Sequence, residues 1–96
     1  MNRDEVLKIL RKYKKLNKEK YGLVALGIFG SFARNEQTVS SDIDIVLQTE
    51  TPNLFNIVHI KDDLQKELHL SVDIVRLRKK MNPSLQRRIE KEALYV

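Results

Sequence analysis

The chain has 96 residues, 18 Lys and Arg against 13 Asp and Glu, a net charge of +5 and no cysteine. Such a length supports a single 1–96 domain with one modest core, burying about 60–65% of the surface its unfolded form exposes. The composition excludes disulfides, thiolate metal sites and a thiol nucleophile, and with no secretion-type leader and no ~20-residue apolar span the expected setting is the cytoplasm.

In chain order, Val6, Leu7, Leu10, Tyr13 and Leu16 recur at helical spacing and predict an amphipathic helix from Arg3 to Lys20, stopped by Gly22. Leu23 to Phe29 is nearly all apolar and reads as a strand covered on both sides. Gly30-Ser31 turns into a short helix reaching Arg34 or Glu36, and Gln37 to Ser41 is polar connection. Ile43 to Gln48 is a second strand. A helix begins at Pro52 or Asn53 and carries Leu54, Ile57, Val58, Leu64 and Leu68. Val72 to Leu77 is a third strand, and Asn82-Pro83 caps a last helix with Leu85 and Ile89 inside. Ala93 to Val96 closes the chain as a short strand or a frayed end. Alternating elements of this kind predict an α/β (α+β) fold with a small, mixed sheet packed on helices.

Gly30-Ser31-Phe32-Ala33-Arg34 and, eleven residues after Ser31, Asp42-Ile43-Asp44 carry the chemistry. A strand sends residues i and i+2 to one face, so Asp42, Asp44 and Val46 point one way and Ile43, Ile45 and Leu47 the other. The apolar set is expected to meet the helices, leaving the aspartates on the open face. In the third strand Asp73 and Val75 share a face, so Asp73 joins the pair if the two strands are neighbours. Three such carboxylates repel unless one is protonated or a cation intervenes, and Mg²⁺ suits an all-oxygen site completed by phosphates. Asp is poorly suited to strand interiors, and a broken local rule tends to mark function. Gly30 admits a ligand close to the backbone, Ser31 adds a hydroxyl, and Arg34 lies one turn on, placed to hold a phosphate or brace the carboxylates. A phosphate cradle beside a divalent-cation clamp is the equipment of nucleotidyl transfer. The G-x-x-x-x-G-K-[ST] pattern is missing, which rejects a P-loop.

Gly30-Ser31-x-Ala33-Arg34, then Ser41-Asp42-Ile43-Asp44, then Asp73 resemble the DNA polymerase β-like nucleotidyltransferase superfamily, most closely its minimal nucleotidyltransferase (MNT) branch. The resemblance covers most of the chain. It implies about four strands with helices packed on one face, Asp42, Asp44 and Asp73 as metal-holding catalytic carboxylates, and Gly30 and Ser31 as the triphosphate site. It also implies HEPN-domain toxins as partners, some relatives transferring AMP from ATP to a toxin tyrosine and so silencing it. One departure is Asn35, where the family often has glycine; asparagine tolerates the left-handed backbone that such a turn needs.

The leading expectation is therefore a nucleotidyltransferase that uses two Mg²⁺ ions and ATP and acts as an antitoxin. The rival is an antitoxin that works by protein binding alone. Nothing in the chain resembles an added acceptor-binding domain, so a partner protein or a second copy must present the acceptor. Direct nucleic-acid binding ranks last: the basic ends (Lys8 to Lys20, Arg76 to Lys91) read as solvated helix faces, and aromatics are only 6% of residues, too few for stacking on single strands. His59 and His69 have no partner at metal spacing, and Tyr13, Tyr21 and Tyr95 read as packing residues with wet hydroxyls.

Overall fold

The computed structural model describes residues 1–96. Helix α1 (Arg3–Tyr21) starts at a reciprocal cap in which the Asn2 side chain accepts from the Glu5 N–H and Glu5 reaches back to the Asn2 N–H. It ends at Gly22, left-handed at φ 62°. Val6, Leu10, Tyr13 and Tyr21 are buried along it, but Leu16 is 69% exposed. Leu16 instead lines a hollow shared with Asp63, Lys66 and Glu67 of the third helix.

Strand β1 (Leu23–Phe29) runs into α2 (Gly30–Ala33), a single turn, and then into β2 (Ile43–Thr49). Helix α3 (Leu54–Leu68) is capped by Asn53, which accepts from the Phe55 and Asn56 N–H groups, and ends at His69 with φ 55°. Strand β3 (Val72–Arg76), α4 (Pro83–Glu92, capped by Asn82) and β4 (Leu94–Tyr95) complete the chain. The C-terminal residues therefore form the closing strand rather than a frayed end. The sheet order is β3-β2-β1-β4. β1 is antiparallel to β2 and β4, whereas β2 and β3 are parallel, joined through α3. Gly27 is required for closure on β4, since a Cβ there would collide with the Leu94 carbonyl.

Side-chain alternation divides the sheet into two faces. Ile43, Ile45 and Leu47 of β2 join Leu26 and Ile28 of β1, packing against Val6 and Leu10 of α1 and Ile60, Leu64 and Leu68 of α3 in a cluster of 16 buried residues. The opposite face is not left open along its whole length. There α4 seats Ile89 on Phe29 and Val46, with Val75, Leu77 and Leu85 beside them. Helices thus lie on both faces, three on one and α4 on the other, because Val46, Val75 and Phe29 need an apolar cover that the aspartates do not. Val24, at the end of β1 away from α4, stays 47% exposed, so β1 is covered on both sides only toward Phe29. No helix is long and apolar enough to cross a membrane.

Candidate active site

Three adjacent strands set the site. Register pairs Phe29 of β1 with Asp44 of β2, and Asp44 with Asp73 of β3. Aligned residues share a face, so Asp44 and Asp73 stand side by side on the face that carries α4. Asp42 precedes the first residue of β2 and is exposed, as is Asp73; Asp44, between them, is half-buried. All three sequence-picked carboxylates thus belong to one end of one face.

The electrostatics follow from that placement. The Asp44 carboxyl is pushed above its ordinary value, first by burial, then by the charge of Asp73; Arg88 pulls it back down, Asp42 adds to the rise and Arg34 opposes it. No three acidic or histidine side chains close around a point where a metal ion would sit. The donor chemistry is right in kind, all carboxylate oxygen with one crowded member.

The turn beside them is built by conformation rather than by capping. Phe29 occupies the cap position of α2 without a side-chain bond, so Ser31 does not serve as the cap. Gly30 has φ 74°, and a Cβ on it would strike the Asp44 Oδ2 atom. Only glycine lets the Asp44 carboxylate lie against the backbone here. At the far end of α2, Asn35 has φ 61°, the Asn35 N–H donates to the Phe32 carbonyl at 3.2 Å and the Glu36 N–H to the Ser31 carbonyl at 2.8 Å. That is a Schellman closure with asparagine in the glycine's place.

Arg34 does not touch the three aspartates. Its Nε donates to Glu36 at 3.1 Å and its Nη1 to Glu92 at 3.0 Å. The Gly30 N–H also donates to Glu92, at 3.1 Å. Arg88 lies with its guanidinium carbon 5.7 Å from the centroid of the Phe29 ring. Arg88 and Glu92 are the site residues that sequence reasoning missed. The signal was present: Leu85, Arg88, Ile89 and Glu92 fall at i, i+3, i+4 and i+7, the core-facing stripe of the last helix, and two of the four are charged.

Away from this site, Tyr13 departs from expectation. Its hydroxyl is not wet but donates to Asp63 Oδ2 at 2.7 Å, closing one wall of a hollow of about 350 Å³ between α1 and α3. That hollow shares no residue with the aspartates. His59 and His69 are both exposed.

Comparison with known proteins agrees with this geometry. Residues 8–96 match the family model described as Polymerase beta, Nucleotidyltransferase. MJ0128 of Methanocaldococcus jannaschii, named as a candidate protein adenylyltransferase, is 44% identical over 93 residues, covering 96% of this chain and 95% of that protein. Among solved structures, a candidate minimal nucleotidyltransferase superposes with a TM-score of 0.78 at 30% identity, covering 98% of this chain and 95% of the other. A chain of the tri-AMPylated Shewanella oneidensis HEPN toxin in complex with MNT antitoxin superposes at 0.61 and 22% identity, over 98% of this chain and 67% of that one, which speaks to the fold alone. With the Gly-Ser turn, the aligned aspartates and the mixed four-stranded sheet in place, this chain belongs to the polymerase β-type nucleotidyltransferase family.

Proposed function

We propose that the 96 residues form one minimal nucleotidyltransferase unit, cytoplasmic, that transfers AMP from ATP to a tyrosine hydroxyl of a HEPN-type toxin and so acts as its antitoxin. The observation that carries the reading is the row Phe29–Asp44–Asp73 across three strands, with Gly30 packed on the Asp44 carboxylate. The names of its relatives support protein as the acceptor.

In this reading Asp42, Asp44 and Asp73 hold divalent cations, two Mg²⁺ ions by the chemistry of the reaction. Bound metal would neutralise charge on the phosphates and lower the pKa of the attacking hydroxyl. Gly30 and Ser31 bind the triphosphate through a backbone N–H and a hydroxyl. Arg34, freed from Glu92, adds positive charge to the same group. The acceptor oxygen bonds to the α-phosphorus, the α–β phosphoanhydride bond breaks, and pyrophosphate leaves. Asp73, the exposed member of the aligned pair, takes the hydroxyl proton.

The test mixes the folded protein with a HEPN-domain toxin, Mg²⁺ and ATP labelled at the α-phosphate. Label is expected on the partner with wild type and not with Asp44→Asn. Folded wild-type protein that labels nothing would overturn the enzymatic reading. A second reading, neutralisation by binding alone, draws on the carboxylates not closing around a metal point. A triple Asn variant at positions 42, 44 and 73 that still silences the toxin fully would select it.

A further inference from the structure

The donors that a nucleotide phosphate would need are already taken. Glu92 Oε2 accepts from the Gly30 N–H at 3.1 Å, and Glu92 Oε1 accepts from Arg34 Nη1 at 3.0 Å. The Glu92 side chain is only 16% exposed, so the carboxylate is held, largely out of water, between a main-chain donor and a guanidinium. Two oxygens of one anion, each accepting a charge-assisted or backbone bond, reproduce the donor set a phosphate takes. One turn earlier on α4, Arg88 reaches over Phe29, the register neighbour of Asp44. The same helix therefore offers a cation toward the carboxylates and an anion to the turn, the two charges that a metal-bound triphosphate brings.

We propose that Glu92 is a displaceable internal anion that closes the phosphate turn in the nucleotide-free protein, so that a nucleotide binds only when the Glu92 carboxylate leaves Gly30 and Arg34. The inference rests on the nucleotide-phosphate role of the Gly30–Ser31 turn. Displacement needs no movement of α4, which stays anchored by Ile89. Glu92 is the last residue of the helix, and Ala93 after it is already extended, so a side-chain rotation suffices.

The experiment titrates ATP and inorganic tripolyphosphate, each without and with Mg²⁺, into wild type, Glu92→Gln and Glu36→Gln. Glu92→Gln keeps the shape and loses the charge. Glu36→Gln removes the other carboxylate on Arg34, which is 66% exposed and does not touch Gly30. The expected result is about tenfold or more tighter binding by Glu92→Gln and a change within about twofold for Glu36→Gln. Equal or weaker binding by Glu92→Gln overturns the latch and makes Glu92 an orienting residue for Arg34. An equal gain in Glu36→Gln overturns it too, because net charge alone would then explain the effect. If folded wild type and Glu92→Gln both fail to bind either probe, the functional reading falls and takes the latch with it. Glu92→Asp guards against a folding artefact: its shorter arm cannot span both donors, and a gain between those of wild type and Glu92→Gln is expected. The Gly30 amide resonance gives a separate readout, expected to move on ATP addition as its acceptor changes from the Glu92 carboxylate to a phosphate oxygen; an unmoved Gly30 amide at saturation would overturn the proposal.

Discussion

The two faces of the sheet are cut from the same strands, yet they do opposite work. Toward α1 and α3, alternate residues of β1 and β2 enter a cluster of 16 buried side chains, and Tyr13, one of its two buried tyrosines, finds a carboxylate partner in Asp63. Toward α4, only Phe29, Val46 and Ile89 are fully buried, and the rest of that end carries Asp44, Asp73, Arg88 and Glu92. On the first face unlike groups are paired; on the second two carboxylates sit in register. Period-two alternation lets a 96-residue chain keep stability on one side and unrelieved charge on the other, so each can be altered with limited cost to its counterpart.

Core truncation should separate the faces most sharply. Leu64→Ala removes a fully buried side chain from the large cluster and is expected to cost about 3–5 kcal/mol, enough to unfold much of a small domain at 37 °C. Ile89→Ala in the small cluster should cost about 2 kcal/mol, because its neighbours Leu85 and Ala93 are only partly buried and can settle. Nucleotide binding should respond in the reverse order among molecules that remain folded, since Ile89 seats the helix that bears Arg88 and Glu92. Urea midpoints and ATP titration on both variants check this; a larger stability loss at Ile89 would break the comparison.

Asp44→Asn should do the opposite of Leu64→Ala. Transfer is expected to fall by about 10²–10³ or more, while metal-free stability holds or rises by about 1 kcal/mol, because a half-buried charge beside Asp73 and Asp42 has been removed. Thermal unfolding in chelator together with the labelling assay reads both effects. A variant that loses activity and stability together would mean that Asp44 is structural.

Much of this division is legible in the sequence. The alternation in Ile43-Asp44-Ile45-Val46-Leu47 assigns each residue to its face, and the structure keeps that assignment. Asp73 falls on the aspartate side because β3 pairs with β2 in parallel register, a long-range fact that local pattern predicts only if the strands are neighbours. The element order, and Asn35 as a substitute left-handed residue, were also readable from residue type. The contribution of α4 was not. Propensity names it a helix, but which face of the sheet it covers depends on how the chain crosses after Arg76, and no local signal fixes that. The partners that Arg34 holds were hidden for the same reason: Glu36 and Glu92 lie 2 and 58 residues away, and only the nearer is a sequence neighbour. Tyr13 likewise looked like a wet phenol because Asp63 is 50 residues distant.

Gly30→Ala sharpens the boundary between turn and strand. Its φ of 74° and the approach of the Asp44 carboxylate oppose any side chain, so about 1–3 kcal/mol of destabilisation is expected. Nucleotide binding should be impaired as well, because the strain is relieved only by moving Asp44 or the turn. An alanine variant with wild-type stability and ATP affinity would show that the close packing of Gly30 on Asp44 is dispensable.

The smallest effect belongs to the paired polar group on the stable face. Burial first, then the hydrogen bond to Asp63, raise the Tyr13 phenol above its ordinary value of 10.0. Native protein therefore holds that proton more tightly than unfolded chain, and in the alkaline range the unfolded state binds fewer protons. The contribution is intact below pH 10 and is lost as pH rises through 10 and beyond. Tyr13→Phe should cost about 1 kcal/mol at pH 7, the worth of one hydrogen bond, and the cost should shrink toward zero above pH 10 as wild type loses what the variant never had. Urea midpoints of the two proteins at pH 7 and pH 10.5 give the difference directly, cancelling the titration of lysines common to both. A gap that stays constant or widens with pH would mean that the Tyr13–Asp63 bond does not hold the phenol neutral, and the contrast between a relieved face and an unrelieved one would lose its best-paired member.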